Sequence, residues 1–507
     1  MRTLVPHSSH PDFAPRRAPA RSRALRAALF APLVLAVAGA GCYSMRGSSG
    51  GGETKAPETR EVKPSDVAVP AGYTIEVVAT GLTFPSGVTF DASGRPCVVE
   101  AGYSYGEVWT TPRLLRVESD GTLTPIASGT TNGPWNGVTF HDGAFYVAEG
   151  GEREGGRILR MTEDGRIDAI VEDLPSVGDH HTNGPIAGAD GWIYFGQGTA
   201  TNAGVVGEDN ARFGWLPRHP EFHDVPCEDV TLAGENYESG NPLTPEEKDK
   251  ATTGAFSAFG TATARGDVVP GRVPCNGAVL RVRPDGGAPE LVAWGFRNPF
   301  GLAFAPDGSL YATDNGYDER GSRPVWGTAD FLWKVERGRW YGWPDFSGGV
   351  PLPRAGKPPG EDAPKFLLAA PPNEAPRPVA RFAVHSSSDG FDFSRSEAFG
   401  HVGKAFVAQF GDMAPGAGKV LTPVGFRVVY VDTFAGVVED FAVNKAGNGP
   451  ASRAGGGGLE RPVAARFDPD GASLYVADFG VMTMSNRGPE PKEKTGVLWR
   501  ITRERRP

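Results

Sequence analysis

Cysteine is scarce, with four in 507 residues. None lies in a CxxCH pattern, so no haem is attached covalently in the usual way, and no Cys or His residues have the spacing of a zinc site. A basic surplus is also missing. The formal charge is −9, and without residues 1–41, which carry six Arg against one Asp, the remainder lies nearer −14. This argues against nucleic acid as a partner. The chain has one long apolar run at its start, ALFAPLVLAVAGA, too short for a comfortable membrane span. What the sequence has in abundance is glycine (70) and proline (45), beside a 39% hydrophobic content. That composition favours many turns over long helices around a sizeable core, hence a mostly β protein.

Arg16, Arg17, Arg21, Arg23 and Arg26 precede the apolar run, and small residues and Cys42 follow it, the order of an export signal. Gly39-Ala40-Gly41-Cys42 resembles the bacterial lipoprotein signal, in which the cysteine becomes the lipidated first residue. Gly39 stands where that signal usually has Leu, and ordinary signal cleavage is the alternative. The expectation is a signal over 1–41, a flexible tether over 42–71 that is Gly/Ser-rich and then charged, and a folded domain over 72–507. The protein would then be an exported cell-envelope lipoprotein, facing the periplasm from the outer membrane and touching membrane only through its lipid. Cys227 and Cys275 flank a polar insertion, and an oxidising compartment favours a disulfide between them. Cys97 reads as a small buried strand residue.

A repeated unit organises the rest. Two short apolar runs joined by a turn occur at Gly87 (GVTFDASGRPCVVEAG), Gly137, Gly184, Gly301 (GLAFAPDGSLYATDNG), Gly390 and Val463 (VAARFDPDGASLYVADFG). Pro fixes φ, Asp bonds its own turn and Gly accepts positive φ, so PDG reverses the chain between half-buried strands. Third runs such as RILRMTEDG and fourth runs such as IDAIVEDL follow. Four strands per unit at a basic spacing of about forty to fifty residues is the mark of propeller blades. The last unit stops after VLWRITRERRP without a fourth run, while TIEVVATGL at Thr74 is a fourth run with no unit before it. Those ends should pair and leave no open edge. The fold class is therefore all-β, a six-bladed β-propeller closed by its N-terminal strand, with two long loop insertions at about 203–274 and 340–384.

Equivalent offsets in a propeller reach equivalent positions around its axis. Thr83, Asn132, His180, Arg297 and Arg461 each stand just before an innermost strand, with His181 and Asn298 as rivals one residue away. Two Arg, a His and an Asn at one mouth suit a polar or anionic ligand.

Arg297-Asn298-Pro299 followed by GLAFAPDGSLYATDNG, with His180 ten residues before Asp190-Gly191, resembles the soluble quinoprotein sugar dehydrogenases of the glucose and sorbosone type, over roughly residues 72–506. The resemblance implies a propeller holding pyrroloquinoline quinone (PQQ) and calcium over its axis and oxidising a sugar hydroxyl. His180 would be the base, with His181 as the alternative, and Arg297 would stabilise charge on the quinone oxygen. Asn132, Asn298 and Arg461 would help bind the cofactor. The carbonyls of Gly316 and Tyr317 would bind calcium, with Asp318, Glu319 and Asp330 close in sequence. Departures accompany the match: a second clamping arginine is replaced by Val463, a cofactor lysine falls near Gly411 with Lys419 as a substitute, and an acid that orients the base falls on Thr199. Trp340, Tyr341 and Trp343 offer stacking surfaces or, equally, local packing.

Three functions follow from these residues. The first is PQQ- and calcium-dependent oxidation of an aldose or sorbosone-like sugar, with electrons passed to an external quinone or cytochrome because the chain carries no haem motif. A metal-dependent, lactonase-like hydrolase would need several carboxylates on the axis, and the converging set has none. A catalytically silent ligand-binding propeller is the third.

Overall fold

A computed structural model describes residues 58–104, 108–357, 360, 362–412, 423–485 and 488–504. Strands dominate it. Six antiparallel blade sheets, five of four strands and one of five, follow one another along the chain, with innermost strands Pro85–Phe90, Trp135–His141, Thr182–Ala187, Pro299–Phe304, Ser388–Phe393 and Pro462–Phe467. Each innermost strand lies beside the next, and the sixth lies beside the first. The six-bladed ring expected from the repeats is the fold observed.

The inner strands come together so closely that a side chain would crowd the neighbouring strand at one position in each of the first five blades. A Cβ on Gly87 would meet Gly137 Cα at 2.7 Å, one on Gly137 would meet Gly184 Cα at 2.7 Å, and one on Gly301 would meet the Asp389 carbonyl at 2.4 Å. Glycine heads the first five repeats for this reason, while the sixth begins with Val463. The hairpins at the other end use the turn chemistry read from PDG: Asp307 Oδ1 accepts the Ser309 N–H at 2.9 Å and Gly308 takes φ +82°.

The ring closes through Tyr73–Leu82, which pairs with Gly496–Arg503 in the sixth blade, Tyr73 opposite Arg503 and Leu82 opposite Gly496. Residues 58–71, given above to a tether, correct that expectation. Val67 and Ala68 add a fifth strand to the fifth blade by pairing with Asn444 and Val443. The Arg60 guanidinium is buried, bonding Asp478 Oδ2 and the Gly458 carbonyl at 2.6 Å each and the Thr495 carbonyl at 3.0 Å. Residues 42–57, the rest of that tether, lie outside the described residues, as does the expected signal over 1–41 with the cysteine that follows it.

The first insertion joins Ile193–Gln197 to Ala278–Val282 in the third blade and is closed by the Cys227–Cys275 disulfide. Cys97 is free and buried. The second insertion is shorter than expected, because Ala380–Val384 is the outer strand of the fourth blade.

Each blade also ends its second strand on an acid or amide that reaches back to the loop or strand beside it at the axis. Glu100 accepts the Thr83 N–H at 2.7 Å, and Asp478 accepts those of Arg461 and Glu460 at 2.8 and 2.9 Å. Glu149 takes Asn132 and Trp135 side chains, Gln197 Oε1 takes the Thr182 hydroxyl, and Gln409 bonds Ser388. Asp314 Oδ1 accepts the N–H groups of Arg297 and Asn298 at 3.1 and 2.8 Å. Burial pushes its carboxyl up to about 7, against the pull of these donors. Glu100, Asp314 and Asp478 thereby anchor backbone N–H groups, while Glu149, Gln197 and Gln409 tie side chains.

Candidate active site

His180 is 9% exposed. Its Nδ1 lies 2.9 Å from the Thr199 carbonyl and 3.0 Å from Thr199 Oγ1. A carbonyl can only accept, so Nδ1 carries the proton and Nε2 keeps its lone pair. Burial, then the nearby Arg297 and Arg320 guanidiniums, lower its pKa well below 6.5. The imidazole is therefore neutral near pH 7 and ready to accept a proton. Thr199, where the resemblance leads one to expect an acid, orients the ring through its backbone instead. His181 is differently engaged, with Nδ1 bonded to the Ser176 carbonyl at 3.1 Å and Nε2 3.9 Å from Glu152.

Arg297 is 4% exposed. Its Nη2 donates to Asn202 Oδ1 at 2.9 Å and to Asp318 Oδ2 at 2.7 Å, and its Nε to Asn202 Oδ1 at 3.2 Å. Nη1 makes no hydrogen bond among the described residues. Burial pushes the Asp318 carboxyl up, but Arg297 and Arg320 outweigh it and hold the carboxyl below its usual range. Asp318 is thus an anion between two cations.

Asn298 belongs to a relay of amides that crosses three blades. Asn136 Nδ2 donates to Asn183 Oδ1 at 3.2 Å, Asn183 to Asn298 at 2.8 Å, Asn298 to Asn315 at 2.8 Å, and Asn315 to the Ser388 carbonyl at 3.2 Å and Asp389 at 3.4 Å. Burial, then the charge of Asp330, raises the Asp389 pKa well above its ordinary value. An axial carboxyl exists after all, on the degraded fifth repeat whose approach segment HSSSD the offset count passed over. His385, in that segment, places Nδ1 3.5 Å from Asp318, and its buried Nε2 has no hydrogen-bond partner among the described residues.

Other expected members are not brought to this cluster. Asn132 is fully buried within the second blade, donating to Glu149 and the Gly155 carbonyl and accepting the Glu154 N–H. Its hydrogen-bonding groups are thus engaged within the blade. Thr83 Oγ1 accepts the Lys494 N–H. Arg461 is fully buried, donates Nη1 to the Phe410 and Gly411 carbonyls at 3.3 Å each, and lies against the Phe410 and Phe426 rings. Burial lowers its pKa to about 10, which leaves it charged. Val463 sits in an apolar cluster with Phe84, Phe410 and Phe479. Residue 419 lies outside the described residues.

Gly316 donates its N–H to Asp330, and its carbonyl accepts no hydrogen bond among the described residues. The Tyr317 carbonyl accepts the Thr328 N–H at 3.1 Å. No group of three or more His, Cys, Asp or Glu that could hold a metal occurs among the described residues. A calcium ion on these carbonyls would therefore need further oxygens from ligand or water. Trp340, Tyr341 and Trp343 are buried core, with Tyr341 stacked on Phe296 at 4.2 Å and Trp343 Nε1 bonded to the Asn202 carbonyl. They are packing, not a stacking platform.

Residues 268–408 match the Glucose / Sorbosone dehydrogenase family. The match contains Arg297, Asn298, Gly316 and Tyr317, and His180 falls before it. It bears out the resemblance seen in Arg297-Asn298-Pro299. No curated protein sequence matches. Among solved structures, the chain is similar to the holo form of the pyranose dehydrogenase PQQ domain from Coprinopsis cinerea, at 15% identity and a TM-score of 0.52, over 89% of this chain and 99% of that one. It is also similar to a PQQ-bound aldose sugar dehydrogenase from Streptomyces coelicolor, at 17% identity and 0.48, over 86% and 99%. The soluble aldose sugar dehydrogenase from Escherichia coli gives 14% and 0.49, over 85% and 99%. At such identities the shared property is the propeller fold.

Proposed function

We propose that the protein is a PQQ- and calcium-dependent dehydrogenase of an aldose or sorbosone-like sugar. One observation carries this reading: a neutral His180 whose Nδ1 is fixed by a carbonyl, leaving Nε2 as a base in the field of the buried Arg297 cation. Bound PQQ would supply the hydride acceptor. His180 Nε2 takes the proton of the sugar hydroxyl as the carbon is oxidised, and the imidazolium so formed returns it to solvent. Arg297 offers Nη1 to negative charge developing opposite the base, already oriented by Asn202 and Asp318, so little reorganisation is needed. Asn298 holds the neighbouring amides in register. The Gly316 and Tyr317 carbonyls would bind calcium. Electrons leave to an external quinone or cytochrome, and Cys42 would carry the lipid that holds the protein at the cell envelope.

A silent ligand-binding propeller is the second reading, favoured by Val463 and by the complete burial of Arg461. The deciding experiment titrates the purified protein with PQQ and calcium, then adds a panel of aldoses and sorbosone while the quinone spectrum is followed. Reduction that is lost in His180→Ala and Arg297→Ala supports the dehydrogenase. Saturable PQQ binding without reduction by any sugar supports the silent propeller, and no binding at micromolar PQQ overturns the quinoprotein reading.

A further inference from the structure

The loop Thr199–Asn202 leaves the second strand of the third blade and leads into the first insertion. At its start, the Thr199 carbonyl holds His180 Nδ1 at 2.9 Å. At its end, Asn202 Oδ1 takes Arg297 Nε and Nη2 at 3.2 and 2.9 Å and the Asp318 N–H at 3.0 Å. Asn202 Nδ2 donates to the Asp318 carbonyl at 2.7 Å and the Arg320 carbonyl at 3.3 Å. One side chain thus saturates its acceptor and donor capacity on the segments that carry Arg297 and its counterion.

The loop itself is pinned from several directions. Asp224, in the insertion and three residues from Cys227, accepts the Ala200 N–H and the Thr201 hydroxyl at 2.6 Å each. The Thr199 N–H donates to the Arg297 carbonyl at 2.9 Å, and the Asp179 N–H to the Ala200 carbonyl at 3.0 Å. A Cβ on Gly178 would meet Ala200 Cα at 2.3 Å, so the chain before His180 packs directly on the loop. Asp179 also accepts Arg320 at 2.6 Å, which returns the network to Asp318 through Arg320 Nε at 3.5 Å.

From this geometry we infer that Asn202 is a positioning residue: it sets the guanidinium of Arg297 relative to the imidazole of His180, with the loop Thr199–Asn202 as the rigid spacer between them. It touches no reacting atom in this arrangement and acts through Arg297. The inference rests on the dehydrogenase reading for its kinetic consequence only.

The test uses the full chain with PQQ, calcium and an oxidised sugar, and compares Asn202→Ala with Asn202→Asp. Asn202→Ala leaves the guanidinium held by Asp318 alone, and kcat should fall about 10- to 100-fold, with the sugar KM within about threefold of wild type. Asn202→Asp keeps an acceptor for Nε and Nη2 but loses the two Nδ2 donations, so it should recover part of the loss in kcat, and the melting temperature of each variant separates a folding defect from lost positioning. A second readout needs neither cofactor nor sugar: in carbon-labelled histidine NMR, the His180 titration midpoint should move up in Asn202→Ala, because Arg297, now tethered through Asp318 alone, is drawn away from the imidazole. An unchanged kcat overturns the inference. If wild type oxidises no sugar, the dehydrogenase reading fails, and the His180 titration alone decides, an unshifted midpoint in Asn202→Ala overturning the positioning role.

Discussion

His180 and His181 are adjacent in sequence, and their different partners are what assign the base. His180→Ala should lower sugar oxidation by about 10²–10⁴-fold, the range for a lost general base. His181→Ala should leave most activity and mainly lower the melting temperature, because its ring bonds Ser176 and approaches Glu152. Since burial and Arg297 keep His180 neutral well below pH 6.5, the acid limb of kcat/KM should lie on the acidic side of that value. A limb centred above pH 6.5 would assign the base elsewhere. Asn132→Ala is expected to behave as a stability variant, losing about 1–3 kcal/mol as Glu149 and the Glu154 N–H lose a buried partner, with KM unchanged in steady-state assays. From sequence alone, Asn132 and His180 looked alike, because both occupy the same offset before an innermost strand. What separates them is whether a neighbour inside the blade claims the side chain. Glu149 claims Asn132, and an offset cannot report that.

At the scale of the element, the strands and hairpins were legible because each repeats a local code: a glycine where inner strands touch, an Asp-Gly turn, and alternating apolar residues. The acid or amide closing each second strand (Glu100, Glu149, Gln197, Asp314, Gln409, Asp478) repeats as faithfully, and it was available as a signal that fixes the register of every site loop. Asn202 was not legible, since its partners Arg297, Asp318 and Arg320 come from another blade about a hundred residues later. Its brace Asp224 can be tested through proton linkage. Burial, opposed by Thr201 and Ala200 and assisted by Asp179, raises its pKa to about 7. Between its unfolded value near 3.8 and 7 the native state holds a proton that the unfolded state has released, so its contribution to stability declines as pH rises through that window. Asp224→Asn removes this dependence. The melting temperature of wild type minus that of Asp224→Asn should therefore fall from pH 5 to pH 8, and a flat difference would show that the carboxyl is already ionised.

For the whole molecule, the closed ring was foreseen from a fourth run without a unit, whereas the docking of residues 58–68 was not, because a Gly/Ser-rich and charged composition looks solvated until Asp478 supplies a buried partner for Arg60. Removing one member of a buried pair leaves the other charge uncompensated, so Arg60→Ala should lose about 3–5 kcal/mol in denaturant unfolding. The pairing of Tyr73 with Arg503 joins positions about 430 residues apart. At synthesis rates of about 5–20 residues per second, the first of these strands waits roughly 20–90 s for its partner. Until Gly496–Arg503 is translated, the sixth blade lacks its third strand and Tyr73–Leu82 offers an unpaired edge to any neighbour. Production of this protein is thus a race between elongation and strand-edge aggregation, decided by whatever shields Tyr73–Leu82 during that interval.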